Sequence, residues 1–424
     1  MDALPEMPTF ARLTQNCNFS MQYLALLRRY PHYIGYGLLH YFFTAPGQTF
    51  FISLYATSFA MALSLDTVQF DWYYAGATLL SAFTLPWVGN WLDRVKLRHF
   101  SVVLGLVFAG FCGLAAAVHH PYLLFFVLFG LRLCGQGLLG LTASTATARF
   151  FDETRGQALS LVSFGVSISE VLLPPLVTSL LFPFMDWRIT WLIIAGLVLV
   201  LFIPLVIGLI PSDSPFQFNQ EADKPDVAGA PKSLSRGEVL RRPSFYLLTA
   251  VYLFVPFFMT GIIINKHLLG EANGWSEAYL AWGLSLFGLT RLVANLISGP
   301  LIDRFTARRI FSFMLIPMAL GTLTLMLSDH PAVMILFFLL SGASASLNSI
   351  ASTAMWAELY GTRHLGAIRS MVSTFMVFST AVAPPALGWA LSFPAHEGLV
   401  MLVSAAVMGL LTLAAFWQTR RLGR

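Results

Sequence analysis

From residue 33 onward the chain is a succession of apolar runs separated by short polar breaks. Twelve such runs fall near 33–61, 71–92, 99–118, 122–147, 157–182, 188–210, 244–268, 277–302, 309–328, 331–357, 365–392 and 397–417. A transmembrane helix needs about 20 mostly apolar residues, and each run meets that length. Strand-like alternation is absent, so the backbone must be satisfied inside helices. The pattern predicts an all-α membrane protein of twelve transmembrane helices. One polar break stands out, residues 211–243, rich in Pro, Ser and charge. It reads as a linker between two six-helix bundles, 33–210 and 244–417, with polar tails at 1–32 and 418–424. Its end, "SLSRGEVLRRPSF", predicts a short amphipathic helix lying on the membrane.

The two halves repeat. Gly89, Asp93, Arg94 and Arg98 recur as Gly299, Asp303, Arg304 and Arg308, each 210 positions later. Gly156 and Gly366 share that offset, and so do Pro174–Pro175 and Pro384–Pro385. Six crossings return the chain to its starting side, so the repeats run parallel. Parallel halves are a transporter plan, with the substrate between them near the midplane. Matching proline pairs predict matching breaks in helices 5 and 11.

Composition supports the membrane reading. Hydrophobic residues make up 57% and charged residues 11%, against about 25% charged in soluble proteins. Mean hydropathy is +0.72. The net charge of +5 matters through its placement. All cations except Arg132, Arg188, Lys266 and Arg291 lie in the tails and in the connections after even-numbered helices. The positive-inside rule then puts both termini in the cytoplasm. No nucleic-acid patch is present. Cys17, Cys112 and Cys134 suggest neither a disulfide framework nor a metal site.

The stretches "GNWLDRVKLR" and "GPLIDRFTARR" resemble the loop motif of the major facilitator superfamily. Where that family often carries a glycine two residues after the arginine, this chain has Lys96 and Thr306. The resemblance implies two bundles rocking about a central site. It also assigns Gly89, Asp93, Arg94, Gly299, Asp303 and Arg304 to a gating motif; simple anchoring of helix ends is the plainer alternative. "AELYGTRHLGAIRS", with Arg291 on helix 8, resembles the monocarboxylate porter and oxalate–formate exchanger branch. That resemblance implies an arginine that binds a carboxylate.

Charged groups at mid-bilayer depth cost about 2.5–3.5 kcal/mol and usually face a cavity or a partner. Arg291 has apolar or small residues on both sides, and its planar fork suits a carboxylate. It reads as an anion-binding group or as one end of an interhelical salt bridge. Arg132, on helix 4, is open to substrate binding, proton coupling or a structural pair with Glu170. Glu170, on helix 5, reads as the deep carboxylate of the chain and a proton carrier. Helix 1 carries Tyr36, His40, Thr44 and Gln48 at four-residue spacing, a polar stripe beside the interruption "APGQT". His40 is a second proton-carrier candidate or a buried neutral histidine. Tyr36, Gln48 and Asn348 join the substrate-binding set. Lys266 either snorkels to water beside His267 or draws anions to the outer mouth.

No phosphate-cradling loop, metal-spaced cluster or nucleophile–base set is visible. We therefore expect no enzyme, catalytic residue, metal or cofactor. The expected protein is a monomeric secondary transporter in a bacterial inner membrane, carrying a small organic anion with protons. Anion exchange without protons and proton-driven efflux of amphipathic cations are the rival expectations.

Overall fold

A computed structural model of the protein describes residues 26–151, 155–210, 234–328, 330–361, 365–393 and 397–422. Among them there is no strand, and helices occupy each predicted run. Nine of these helices are long and apolar enough to cross a membrane. They are α3 (Leu97–Ala116), α4 (Pro121–Phe150), α5 (Gln157–Leu181), α6 (Trp187–Leu209), α7 (Pro243–Ile264), α9 (Ala307–Leu327), α10 (Pro331–Tyr360), the stretch Met371–Leu391, and α12 (Glu397–Leu422). Met371–Leu391 belongs to α11, Leu365–Leu391. The other three runs are α2 (Thr67–Gly89), α8 (Glu277–Phe305) and the broken α1.

The first helix, α1, is built from Pro31–Phe43, Ala45–Gly47, Thr49–Ile52 and Ala56–Leu63. Pro46 and Gly47 force its central interruption, and Gln48 leaves the helix with φ −83 and ψ 151. The chain passes tightly there. A Cβ on Gly47 would stand 2.8 Å from the Cα of Gly135 and would overlap the Leu131 carbonyl. Opposite it, α4 widens into a π-helical stretch over Arg132–Leu139, a feature that often marks functional sites.

The repeated proline pairs act differently in the two halves. Behind Pro174 and Pro175, α5 opens into a π-helix over Leu176–Leu181. Around Pro384 and Pro385, α11 continues as an α-helix. A side chain from the neighbouring helix also docks there: Asn265 Nδ2 donates to the Pro384 carbonyl at 3.1 Å. The predicted matching break is therefore found only in α5.

Even numbers of crossings bring residues 26 and 422 to one end of the molecule; the opposite end is called distal below. The halves meet where α2 packs on α11 and α5 packs on α8, with α7 against α1. The 210-residue offset converts the first of these contacts into the second. Of the expected linker, 211–233 lies outside the described residues. Its end forms the helix Arg236–Leu240, with a capping box between Ser235 and Glu238. That helix packs against α7 and α11, with Val239 fully buried.

Candidate substrate and proton site

Glu170 and Arg291 meet at the contact between the halves. Arg291 Nη2 stands 2.7 Å from Glu170 Oε2. Both lie near the middle of long helices, α5 and α8. Glycines bring the helices this close. A Cβ on Gly288 would stand 2.8 Å from Glu170 Cγ, and one on Gly342 of α10 would stand 2.6 Å from the Phe287 carbonyl. Arg291 is thus held between α5 and α10, its guanidinium 5.9 Å from the Phe287 ring centre.

The exposure of the pair is uneven. The Glu170 side chain is 5% exposed and the Arg291 side chain 26%. No aligned N–H reaches Glu170 Oε2, so the contact is an ion pair without a well-directed hydrogen bond. Mutual neutralisation makes it tolerable in lipid; either charge alone would carry several kcal/mol of desolvation cost. Arg291 keeps a partly open face, on which a second acceptor can approach.

Glu170 therefore pairs with Arg291, and a pair with Arg132, one of the alternatives open in the sequence, is not formed. Arg132 turns into its own half. It is 3% exposed, donates to the Gly47 carbonyl at 3.2 Å and Thr49 Oγ1 at 3.4 Å, and lies 5.1 Å from the Tyr74 ring centre. The break in α1 frees that carbonyl, and the π-helical stretch of α4 presents the guanidinium to it. Gln48 sits at the same break, half-buried, and donates to Thr44 Oγ1 at 3.3 Å.

The rest of the helix 1 stripe points inside the bundle. Tyr36 Oη lies 2.6 Å from Ser101 Oγ on α3, and His40 Nε2 lies 3.0 Å from the same oxygen. His40 Nδ1 lies 2.9 Å from the Tyr36 carbonyl. Tyr36 and His40 are both fully buried. On α10, Asn348 is 6% exposed and its Oδ1 lacks a partner. A second polar seam went unnoticed in the sequence: Ser346 Oγ donates to Asn295 Oδ1 at 2.7 Å and meets Ser298 Oγ at 3.1 Å. It joins α8 to α10 one turn beyond Arg291.

Lys266 does not reach water. It is 1% exposed, stands 3.5 Å from Glu277, and donates to the Ser53 carbonyl at 2.6 Å across the halves. The second interruption of α1 leaves that carbonyl near the distal end. Asp71 is a further correction. The apolar pattern starts helix 2 at residue 71, but α2 starts at Thr67, so Asp71 lies one turn inside the helix and is fully buried. Glu170 is thus not the single deep carboxylate of the protein.

Of the loop motif, Asp93, Gly299 and Asp303 have side chains outside the described residues. Gly89 permits close packing: a Cβ there would stand 2.9 Å from Leu141 of α4. Arg94 is exposed, and Arg304 lies 5.3 Å from the Phe305 ring centre. The repeated Arg308 anchors three helix ends through Glu358 Oε2 at 3.2 Å and the Leu422 carbonyl at 3.2 Å.

Comparison with known proteins agrees with this architecture. The family model for the Major Facilitator Superfamily matches residues 37–267 and 251–423. An oxalate:formate antiporter from Oxalobacter formigenes is 23% identical over 354 residues, spanning 80% of this chain and 82% of that protein. Among solved structures, a mutant of the nucleoside transporter NupG superposes with a TM-score of 0.73 at 11% identity, over 91% of this chain and 99% of that one. A bacterial homolog of the human lysosomal transporter Spinster, inward-facing and unoccupied, gives 0.67 at 14% identity, over 92% and 97%. At such identities the superpositions speak for the fold alone. The family model spans both halves, and the chain belongs to the Major Facilitator Superfamily: it is a multi-pass membrane transporter.

Proposed function

We propose that this transporter carries a small organic anion, monocarboxylate-like, together with a proton. One observation carries the reading: the Glu170–Arg291 ion pair, 2.7 Å long, with one partner from each half. A guanidinium does not lose its charge in proteins, so Arg291 needs an anion in every state. In the empty carrier Glu170 supplies it. A substrate carboxylate displaces Glu170 and takes the planar fork bidentately. Glu170, now buried without its cation, takes a proton. The site then holds no net charge when empty or when loaded with anion and proton. Both forms can reorient, and the half-loaded forms carry an unmatched charge that resists it. Coupling follows from electrostatics. Gln48 and Asn348 supply further polar contacts, and Arg132 holds the broken part of α1 in shape.

The antiporter relative favours a second reading, exchange of two anions. A cation substrate fits less well, because it must first displace Arg291 from Glu170. The charge pattern supports cytoplasmic termini, and we assign the repeated loop motif to gating.

Proteoliposomes test the proposal. An inward proton gradient should accelerate uptake of the correct carboxylate. Arg291→Lys removes the planar fork and should slow uptake about 10–100-fold, the equivalent of about 1.5–3 kcal/mol. Glu170→Gln should leave substrate binding in place and abolish gradient-driven uptake. Full activity in Arg291→Ala would sink the anion site. Intact proton coupling in Glu170→Gln would leave exchange as the better reading.

A further inference from the structure

A second carboxylate lies on the interface between the halves, at the distal end and clear of the Glu170–Arg291 pair. Asp71 of α2 is fully buried. Its Oδ2 rests directly on Gly388 of α11, where a Cβ would overlap it. Asn265, at the end of α7, converges on the same glycine, with Oδ1 2.9 Å from that Cβ position.

The hydrogen-bond inventory of Asn265 decides what Asp71 must be. A primary amide has two N–H donors and one carbonyl acceptor. Nδ2 donates to the Gly261 carbonyl at 3.1 Å and to the Pro384 carbonyl at 3.1 Å. Those two main-chain acceptors fix the orientation of the amide, since a flipped Asn265 would turn oxygen toward oxygen. Both donors are then committed. Asn265 Oδ1 and both Asp71 oxygens are left buried without a donor. Acceptors converging on one glycine in a dry site repel, and each unsatisfied group costs about 1–3 kcal/mol. A proton on Asp71 removes the conflict, because the acid O–H can donate to Asn265 Oδ1.

Other charged and titratable groups near this contact are engaged elsewhere. Lys266 is committed to Glu277 and the Ser53 carbonyl. His267 Nε2 lies 3.2 Å from Thr67 Oγ1, one turn from Asp71 on the same face of α2. Arg132, beside Tyr74 on the next turn, serves Gly47 and Thr49. Asp66 precedes α2 and is exposed. In the described part of α11 the one charged residue is Arg369, at the opposite end of the helix.

We propose that Asp71 is a second proton-binding site, occupied when α2, α7 and α11 are closed at the distal end and emptied as they part. Opening exposes Asp71 to distal water, to which it releases its proton. Closure requires that the proton return. The site stands apart from Glu170 and does not depend on the identity of the substrate.

Spin labels test it without substrate. Labels on cysteines replacing Met61 and Ser392, with the three native cysteines changed to alanine, report the distal separation of the halves in nanodiscs. Between about pH 5 and about pH 9, the short distance should give way to a longer one as Asp71 ionises. Asp71→Asn keeps a donor for Asn265 and should hold the short distance throughout. Gly388→Ala should drive the two side chains apart and favour the long distance at both extremes, an arm that survives if Asp71→Asn fails to fold. The proposal is overturned if the wild-type distance ignores pH, if Asp71→Asn still follows pH, or if His267→Gln removes the response. It is overturned equally if Gly388→Ala stays as closed as wild type.

Discussion

At the scale of single residues, charge and shape have to be separated. Arg291 and Arg132 look alike in the sequence, since each is a lone arginine in an apolar run. Their neighbours divide them. Arg291 reaches across the halves to Glu170, with part of its fork open, whereas Arg132 spends its donors on a carbonyl freed by the break in α1. Thr306 shows the same dependence on backbone. It stands where the family often has glycine, and it adopts φ 68 and ψ 146, a region that suits glycine and strains a β-branched residue. Thr306→Gly should therefore stabilise the protein by about 1 kcal/mol, after the added freedom of the unfolded chain offsets part of the relief. Thermal unfolding in detergent would read this as a raised midpoint. An unchanged or lowered midpoint would mean that the loop already accommodates threonine.

At the scale of helices, glycines decide which segments touch. In water the hydrophobic effect drives packing, but lipid tails are as apolar as leucine, so close contact matters more in a membrane. Gly47 and Gly135 let the break in α1 lie directly on the widened turn of α4, backbone against backbone. No side chain at that contact can rotate away. Gly47→Ala should cost about 1–3 kcal/mol through overpacking, lower the melting midpoint, and loosen the Arg132 contact with Thr49. A variant as stable as wild type would show that α1 shifts freely. Gly288 and Gly342 play the same part around Arg291.

At the scale of the whole molecule, the contacts between halves are pseudo-symmetric in position and different in chemistry. Two carry most of the interface, α2 with α11 and α5 with α8. The repeat offset maps Arg291 onto Ser81 and Glu170 onto Thr380, so the ion pair has no charged twin. Where α5 and α8 meet through charge, α2 and α11 meet through Asp71, Gly388 and, nearer the termini, Phe83 against Phe378 with ring centres 5.7 Å apart. Alternating access requires this seam to open and close. Cysteines replacing Phe83 and Phe378, joined by a short cleavable cross-linker, should stop most uptake, and cleavage should restore it. Uptake that continues while the link is intact would mean that the halves do not rock about this seam.

Much of the architecture was legible in the chain because a bilayer imposes strict demands on sequence. A spanning helix must be long and apolar, its connections must be polar, and a duplicated motif at a fixed offset exposes two related halves. Those rules hold residue by residue, so twelve runs and their grouping appear without a fold. They also single out Arg291 and Glu170 as groups that need an explanation.

Partnership was not legible. Sequence spacing says nothing about which helices from opposite halves lie side by side, and Glu170 had two arginines to choose from. The polar stripe of helix 1 turned inward onto Ser101 because α3 packs there. Lys266 found a carbonyl freed by a break some two hundred residues earlier. Asp71 stood at the polar edge of an apolar run, and its burial comes from α7 and α11, which lie far along the chain. Hydrophobicity is a property each residue carries with it, and the sequence records it. Charge compensation is a property of pairs, and only the packing of one half against the other decides the pairs.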